Sequence, residues 1–207
     1  MPFARSLPML VFATFALAAP AAAVPVTYEI DPTHTFPSFE ADHMGMSVWR
    51  GRFDRTRGRV VLDKAAGSGE VSLTIDMASV DFGLDALDRE MAKPPYFDTA
   101  RHPTATYAGR LAGFVDGEPT RVEGALTFRG VTRPVALQIR SFKCMPHPLF
   151  KRDWCGADAY ATIDRADFGM DAGREWGFSM QVALRIQVEA IAVAADAQDA
   201  GPQDPAR

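Results

Sequence analysis

Four histidines, two cysteines and a run of arginines are the side chains of this sequence with the most chemistry to offer. His34 and His43 are an odd number of residues apart, so in one continuous strand they face opposite ways and cannot share an ion. Pro37 stands between them as an edge or bulge residue that would break this parity. His102 precedes Pro103 in a loop, and His147 lies between the cysteines. Structural or hydrogen-bonding roles are expected for all four, and no metal site. Cys144 and Cys155 lack the Cys-x-x-Cys spacing of a redox motif or zinc ligand pair. An even cysteine count in an exported chain favours a structural disulfide. Closing a loop of this size contributes somewhat under about 3 kcal/mol on the chain-entropy scale. Arg50, Arg52, Arg55, Arg57 and Arg59 read as a solvated hairpin face, or as a patch for anionic or lipid head groups.

Motifs for covalent or phosphoryl chemistry are absent: there is no Gly-x-Ser-x-Gly elbow, phosphate-binding glycine loop or His-Glu-x-x-His. The carboxylates are scattered along polar strand faces, with no pair placed for glycoside hydrolysis. A non-enzymatic protein without a cofactor is expected. The formal net charge of −4 provides no field to draw it to nucleic acid.

The elements that must position these side chains are mostly strands. Val26, Tyr28 and Ile30 alternate with polar residues up to an Asp31-Pro32 turn. Beyond it, Thr35, Pro37, Phe39, Ala41 and His43 share one face by the two-residue period. Gly45 and Gly51 permit sharp bends. Val60 and Leu62 precede a Gly67-Ser68-Gly69 turn, and Val71, Leu73, Ile75 and Met77 alternate with Ser72, Thr74 and Asp76. Val122, Leu126 and Phe128 form another inward row, as do Val135, Leu137 and Ile139. The last strand is the clearest, with Phe178, Met180, Val182, Leu184, Ile186 and Val188 opposite Gln181, Arg185, Gln187 and Glu189. One-sided alternation of this kind means antiparallel strands with one wet face, and Asp116-Gly117 is a hairpin turn. Only Leu84, Leu87 and Met91 recur at helical spacing, in a segment ended by Pro94 and Pro95. The fold class is all-β, a barrel or sandwich with one short helix.

Three segments are expected. Residues 1–23 have a cationic start at Arg5, an apolar stretch from Leu7 to Ala19 and a small-residue cleavage site at Ala21-Ala22-Ala23, the pattern of a cleaved signal peptide. Residues 24–193 form one β domain, and residues 194–207 a disordered, Ala- and Asp-rich tail.

The stretch Tyr28-Glu29-Ile30-Asp31-Pro32-Thr33-His34, with Phe39, His43, Gly45, Gly51 and Phe53 after it, resembles the N-terminal signature of the YceI family. Further matches follow in order. They are Ser79-Val80-Asp81, Tyr96-Phe97-Asp98, His102-Pro103, Gly124-x-Leu126-Thr127, Arg129-Gly130-Val131-Thr132-Arg133-Pro134-Val135 and Arg165-x-x-Phe168-Gly169. The resemblance covers roughly residues 26 to 193. Pro37 and Ala41 stand where that family usually has branched aliphatic residues, and Asp164 replaces a usual Asn.

The resemblance implies an extended, lipocalin-like antiparallel barrel of about eight strands. It also implies a periplasmic binding or carrier protein that holds a polyisoprenoid, quinone or fatty amide inside. The ligand-binding interior would then comprise Phe39, His43, Phe53, Leu73, Ile75, Leu87, Phe97, Leu126, Phe128 and Phe168. His43 and Arg165 are the head-group candidates, since a neutral imidazole can donate or accept a hydrogen bond. A homodimer is a further partner to expect. The alternative is a non-catalytic accessory subunit that docks on a membrane redox protein.

Overall fold

The structure, a computed structural model, describes residues 24–194. The signal peptide expected over residues 1–23 and the tail expected beyond residue 194 lie outside the described residues. Among the described residues there are twelve strands and one α-helix. The strands are β1 (Val26–Ile30), β2 (Phe36–His43), β3 (Ser47–Phe53), β4 (Thr56–Asp63), β5 (Ser68–Asp76) and β6 (Val80–Asp81). After α1 (Asp85–Met91) come β7 (Thr104–Ala112), β8 (Arg121–Phe128), β9 (Val131–Pro134), β10 (Leu137–Pro146), β11 (Asp153–Asp164) and β12 (Gln181–Ala192).

Eight of these strands close an antiparallel barrel in the order β1, β4, β5, β7, β8, β10, β11, β12, with Tyr28 opposite Ala192 at the seam. Closure leaves no open edge along this path. β12 is the central stave. Along one side it pairs with β11 from Trp154↔Ile191 to Asp164↔Gln181. Along the other it meets β1 at its C-terminal end and β2 at its N-terminal half. The turn between β1 and β2 leaves a gap in that second ladder, which Thr35 fills. Its side chain is fully buried, its Oγ1 donates to the Glu189 carbonyl at 3.1 Å, and it accepts from the Glu189 N–H at 3.1 Å. β3 and β6 continue the sheet from β2 and lengthen the wall.

Several expectations change. β2 pairs with β12 in unbroken register from Phe36↔Gln187 to Ala41↔Val182, so Pro37 makes no bulge. Pairing with β3 begins only at Ser38↔Arg52, so beside Pro37 one edge carries no ladder for its missing N–H to break. His34 lies in the turn, where its Nδ1 is 2.8 Å from Asp31 Oδ2. The row Val135, Leu137, Ile139 does run along β8 as expected: the Val135 and Ile139 N–H groups donate to the Gly124 and Thr120 carbonyls, and Leu137 pairs with Val122. Arg129 and Gly130, both at positive φ, turn β8 back into β9, and β9 runs on into β10 along β8 without a change of register, from Phe128↔Val131 to Arg121↔Gln138. β12 starts at Gln181, leaving Phe178 and Met180 in the preceding loop.

Cys144 and Cys155 are disulfide-bonded, and they face each other across β10 and β11 instead of closing an irregular loop. Asp153 completes a potential ligand cluster with them, but both thiols are consumed by the bond. Most of the arginine run is already neutralised. Arg50 pairs with Glu40, Arg52 with Asp54 and Asp81, Arg55 with Asp76, and Arg59 with Glu29.

Candidate functional site

The inward rows of the strands do not fill the barrel. They line a cavity of about 410 Å³, within the size range of small-molecule sites. Phe39 and Ala41 of β2, Phe53 of β3, Leu73 and Ile75 of β5, and Tyr107 of β7 contribute to its wall. Leu126 and Phe128 of β8 and Val182, Leu184 and Ile186 of β12 add to it. An aromatic chain runs along its wall. Phe39 lies 5.7 Å from Phe53, 5.3 Å from Phe82 and 6.1 Å from Phe97 between ring centroids. Phe97 in turn lies 6.0 Å from Phe128, and Phe128 5.6 Å from Phe168. Tilted and edge-on pairs at these separations are favourable beyond their area.

Two glycines make this arrangement fit. Gly51 is directly opposite Phe39, and a Cβ there would sit 2.5 Å from Phe39 Cζ. Gly124 gives the same room to Tyr107, whose hydroxyl would be 2.6 Å from an added Cβ. The Tyr107 hydroxyl donates to the Val135 carbonyl at 2.8 Å, so this buried polar atom is satisfied, and burial raises its pKa well above the usual phenol range.

Besides Tyr107 and Ser38 within the barrel wall, the polar residues of the lining are Asp42, Glu90, Tyr96, Arg165 and Ser179, alongside α1 and the loop over residues 170–179. Arg165 is 8% exposed. Its Nε donates to the Ser179 carbonyl at 3.3 Å, Nη1 to Met170 at 3.0 Å and Nη2 to Ala172 at 2.9 Å. Burial pulls its pKa down against the opposing pull of Asp164 and Asp171. The guanidinium therefore clasps the loop that borders the opening, with two of its five N–H donors left over. On the other side α1 buries none of its residues, and offers Leu87, Glu90 and Met91 to the cavity.

Of the residues singled out from sequence, Phe39, Phe53, Leu73, Ile75, Leu87, Phe97, Leu126, Phe128 and Arg165 line this cavity. His43 and Phe168 do not. Phe168 is 2% exposed and packs behind Phe128. His43 shares the inward parity of Phe39, but Trp49 and Phe178 stand around its ring, at 4.3 Å stacked and 5.2 Å edge-on. It props Trp49, which lines the cavity, and does not meet the interior itself. His43→Ala should therefore loosen Trp49. In a background with Trp154 and Trp176 replaced by Phe, the expected result is a red-shifted, broadened Trp49 emission and a stability loss of about 1 kcal/mol or less. Unchanged emission would remove this supporting role. Tyr107, Trp49 and Trp176 also line the cavity and were missed. Alternation of Ala105 and Tyr107 with Thr104 and Thr106 was the one available signal for the first.

A closed eight-stranded antiparallel barrel with an apolar internal cavity is a lipocalin-like architecture. Residues 28–190 match the YceI-like domain, and the chain belongs to the YceI family. It is 31% identical over 192 residues to the protein YceI of Escherichia coli O157:H7, covering 90% of this chain and 97% of that one. It is 30% identical over 178 residues to a UPF0312 protein of Pseudomonas aeruginosa (strain LESB58), covering 82% and 88% respectively. Among solved structures it is similar to BcnA of Burkholderia cenocepacia, with a TM-score of 0.63 and 21% identity over 78% of this chain and 99% of that one. It is also similar to a polyisoprenoid-binding domain from Saccharophagus degradans implicated in plant cell wall breakdown, with a TM-score of 0.60 and 23% identity, covering 81% and 99%.

Proposed function

We propose that this protein is a periplasmic binding protein that holds a long-chain amphiphile, its apolar chain in the barrel and its polar end toward the opening. The observation that carries this is the distribution of polarity. The cavity wall is mostly apolar, while its charged lining residues are Glu90 of α1, Asp42 at the end of β2 and Arg165, which clasps the loop over residues 170–179. An apolar chain moved from water into such a space gains about 0.8 kcal/mol per buried CH₂. Affinity therefore needs few polar contacts, and selectivity falls to the opening. The polyisoprenoid-binding description of the Saccharophagus degradans domain supports an isoprenoid chain over other lipids. A purely structural accessory role calls for a side-chain-filled barrel, and this one is hollow.

Native mass spectrometry on protein purified from cells, followed by organic extraction, tests the reading. The expected result is an adduct of lipid mass that is lost on extraction and restored by an added prenyl lipid. Recovery of a barrel that is empty and refuses prenyl lipids, quinones and fatty amides would sink it.

A further inference from the structure

The apolar surface does not stop at the cavity. Met44, Met46, Val48 and Trp49 on the β2–β3 hairpin are between 38% and 72% exposed, and Leu84 before α1 and Trp176 in the clasped loop are 59% and 65% exposed. Three separate segments thus present apolar side chains beside one opening. Trp49 and Trp176 belong to both surfaces, since each is exposed and each lines the cavity. Isolated exposed apolar residues need no explanation, but a contiguous group around a cavity does.

Charge narrows what can cover this rim. The segments that carry it hold Asp42, Asp85, Asp88, Glu90, Asp171 and Glu175 against Arg89, Lys93 and Arg174. Lys93 is already paired with Glu90 at 2.7 Å, and Glu40 with Arg50 at 3.0 Å. The border is acidic, so an anionic surface would be repelled. The ends of the described residues are distant: Tyr28 and Ala192 pair at the opposite end of β12 from Gln181, about 35 Å away at the strand rise. Near that far end, Leu149 and Phe150 are exposed beside the cations Lys151 and Arg152, an opposite charge arrangement. Tryptophan with neighbouring aliphatic side chains is the composition of a surface that settles at a lipid interface, and without an excess of cations such a surface gains nothing from anionic lipid.

We infer that the rim of Met44, Met46, Val48, Trp49, Leu84 and Trp176 is a docking surface for a zwitterionic bilayer, on which the barrel sets its open mouth. This rests on the reading of the cavity as a lipid site, because it gives an apolar chain a path from bilayer to barrel without crossing water.

Vesicles of phosphatidylcholine with brominated acyl chains and no prenyl lipid test docking apart from ligand capture. Quenching of tryptophan fluorescence is expected, and it should persist in Trp154→Phe, which removes the far-end tryptophan. Met46→Asp combined with Leu84→Asp, neither of which lines the cavity, should weaken partitioning at least tenfold while prenyl-lipid capture by native mass spectrometry stays unchanged. Absence of quenching in the unaltered protein would overturn the inference, as would tighter binding when phosphatidylglycerol is added. So would an equal loss in Leu149→Asp, or a dimer whose formation requires Met46 and Leu84. Ligand capture without docking refutes the docking surface and leaves the ligand reading standing. Docking without capture supports the surface and refutes the ligand reading.

Discussion

Replacing Arg165 by methionine is expected to cost about 3–5 kcal/mol and to unseat the loop over residues 170–179. Methionine keeps much of the volume but removes three donors, each aimed at a different carbonyl, those of Met170, Ala172 and Ser179. Hydrogen bonds from a charged donor contribute roughly 1.5–3 kcal/mol each, and the carbonyls left behind then need new partners. Water reaches some of them at the opening, which keeps the loss below the sum. Lysine would be only a partial substitute, because an ammonium cannot reproduce the planar fork that spans the three carbonyls. Denaturant titration reads the stability loss, and hydrogen exchange at the amides of residues 170–179 reads the loosening. A loss under about 1 kcal/mol with unchanged exchange would show that the clasp does not hold this loop.

Ala105→Phe should cut ligand affinity more than a hundredfold while leaving the barrel folded. Ala105 is 4% exposed and lies in the cavity wall beside Tyr107. A benzyl group there would project into the volume an apolar chain is to occupy. Excluding about four methylenes at ~0.8 kcal/mol each removes roughly 3 kcal/mol of binding, which is more than two factors of ten. Overpacking of a filled core would instead appear as a stability loss of about 1–3 kcal/mol. A hollow barrel takes the new ring with a smaller loss, or with none. Titration with a fluorescent prenyl lipid, set beside the melting temperature of the same variant, separates the cases. Retained affinity together with a lowered melting temperature would place the ligand elsewhere.

These two positions also show what could be read from the chain and what could not. The strand carrying Val182, Leu184 and Ile186 was plain because branched residues alternate with Arg, Gln and Glu over its length. β7 and β11 were hidden. The inward positions of β11 run Cys155, Ala157, Ala159, Ala161 and Ile163, and those of β7 include Ala105 and Gly109, so neither shows much contrast between faces. Yet small inward residues such as Ala41 and Ala105 are among those that leave the barrel hollow. At Ala105 the weakness of the pattern and the room in the cavity share a cause.

At His43 the strand period gave the correct face but not its surroundings, because what stands around that ring comes from β3 and from a loop far along the chain. The disulfide pairing was legible from cysteine count, while its cross-strand position depended on β11, which was not seen. Arg165 was found through the family signature. Its hold on three carbonyls belongs to a loop without a repeating pattern and so was visible only in three dimensions.

The seam between β1 and β12 has a consequence for how this protein acquires its shape. Tyr28 pairs with Ala192 and Ile30 with Ala190, so the barrel closes with contacts between nearly opposite ends of the described chain. Closing so long a loop carries a large entropic cost before any contact is gained, and folds dominated by such pairings assemble slowly. A nascent chain that lacks its last strand cannot satisfy β1, β2 or β11, each of which pairs with β12. The barrel therefore stays open until β12 is made.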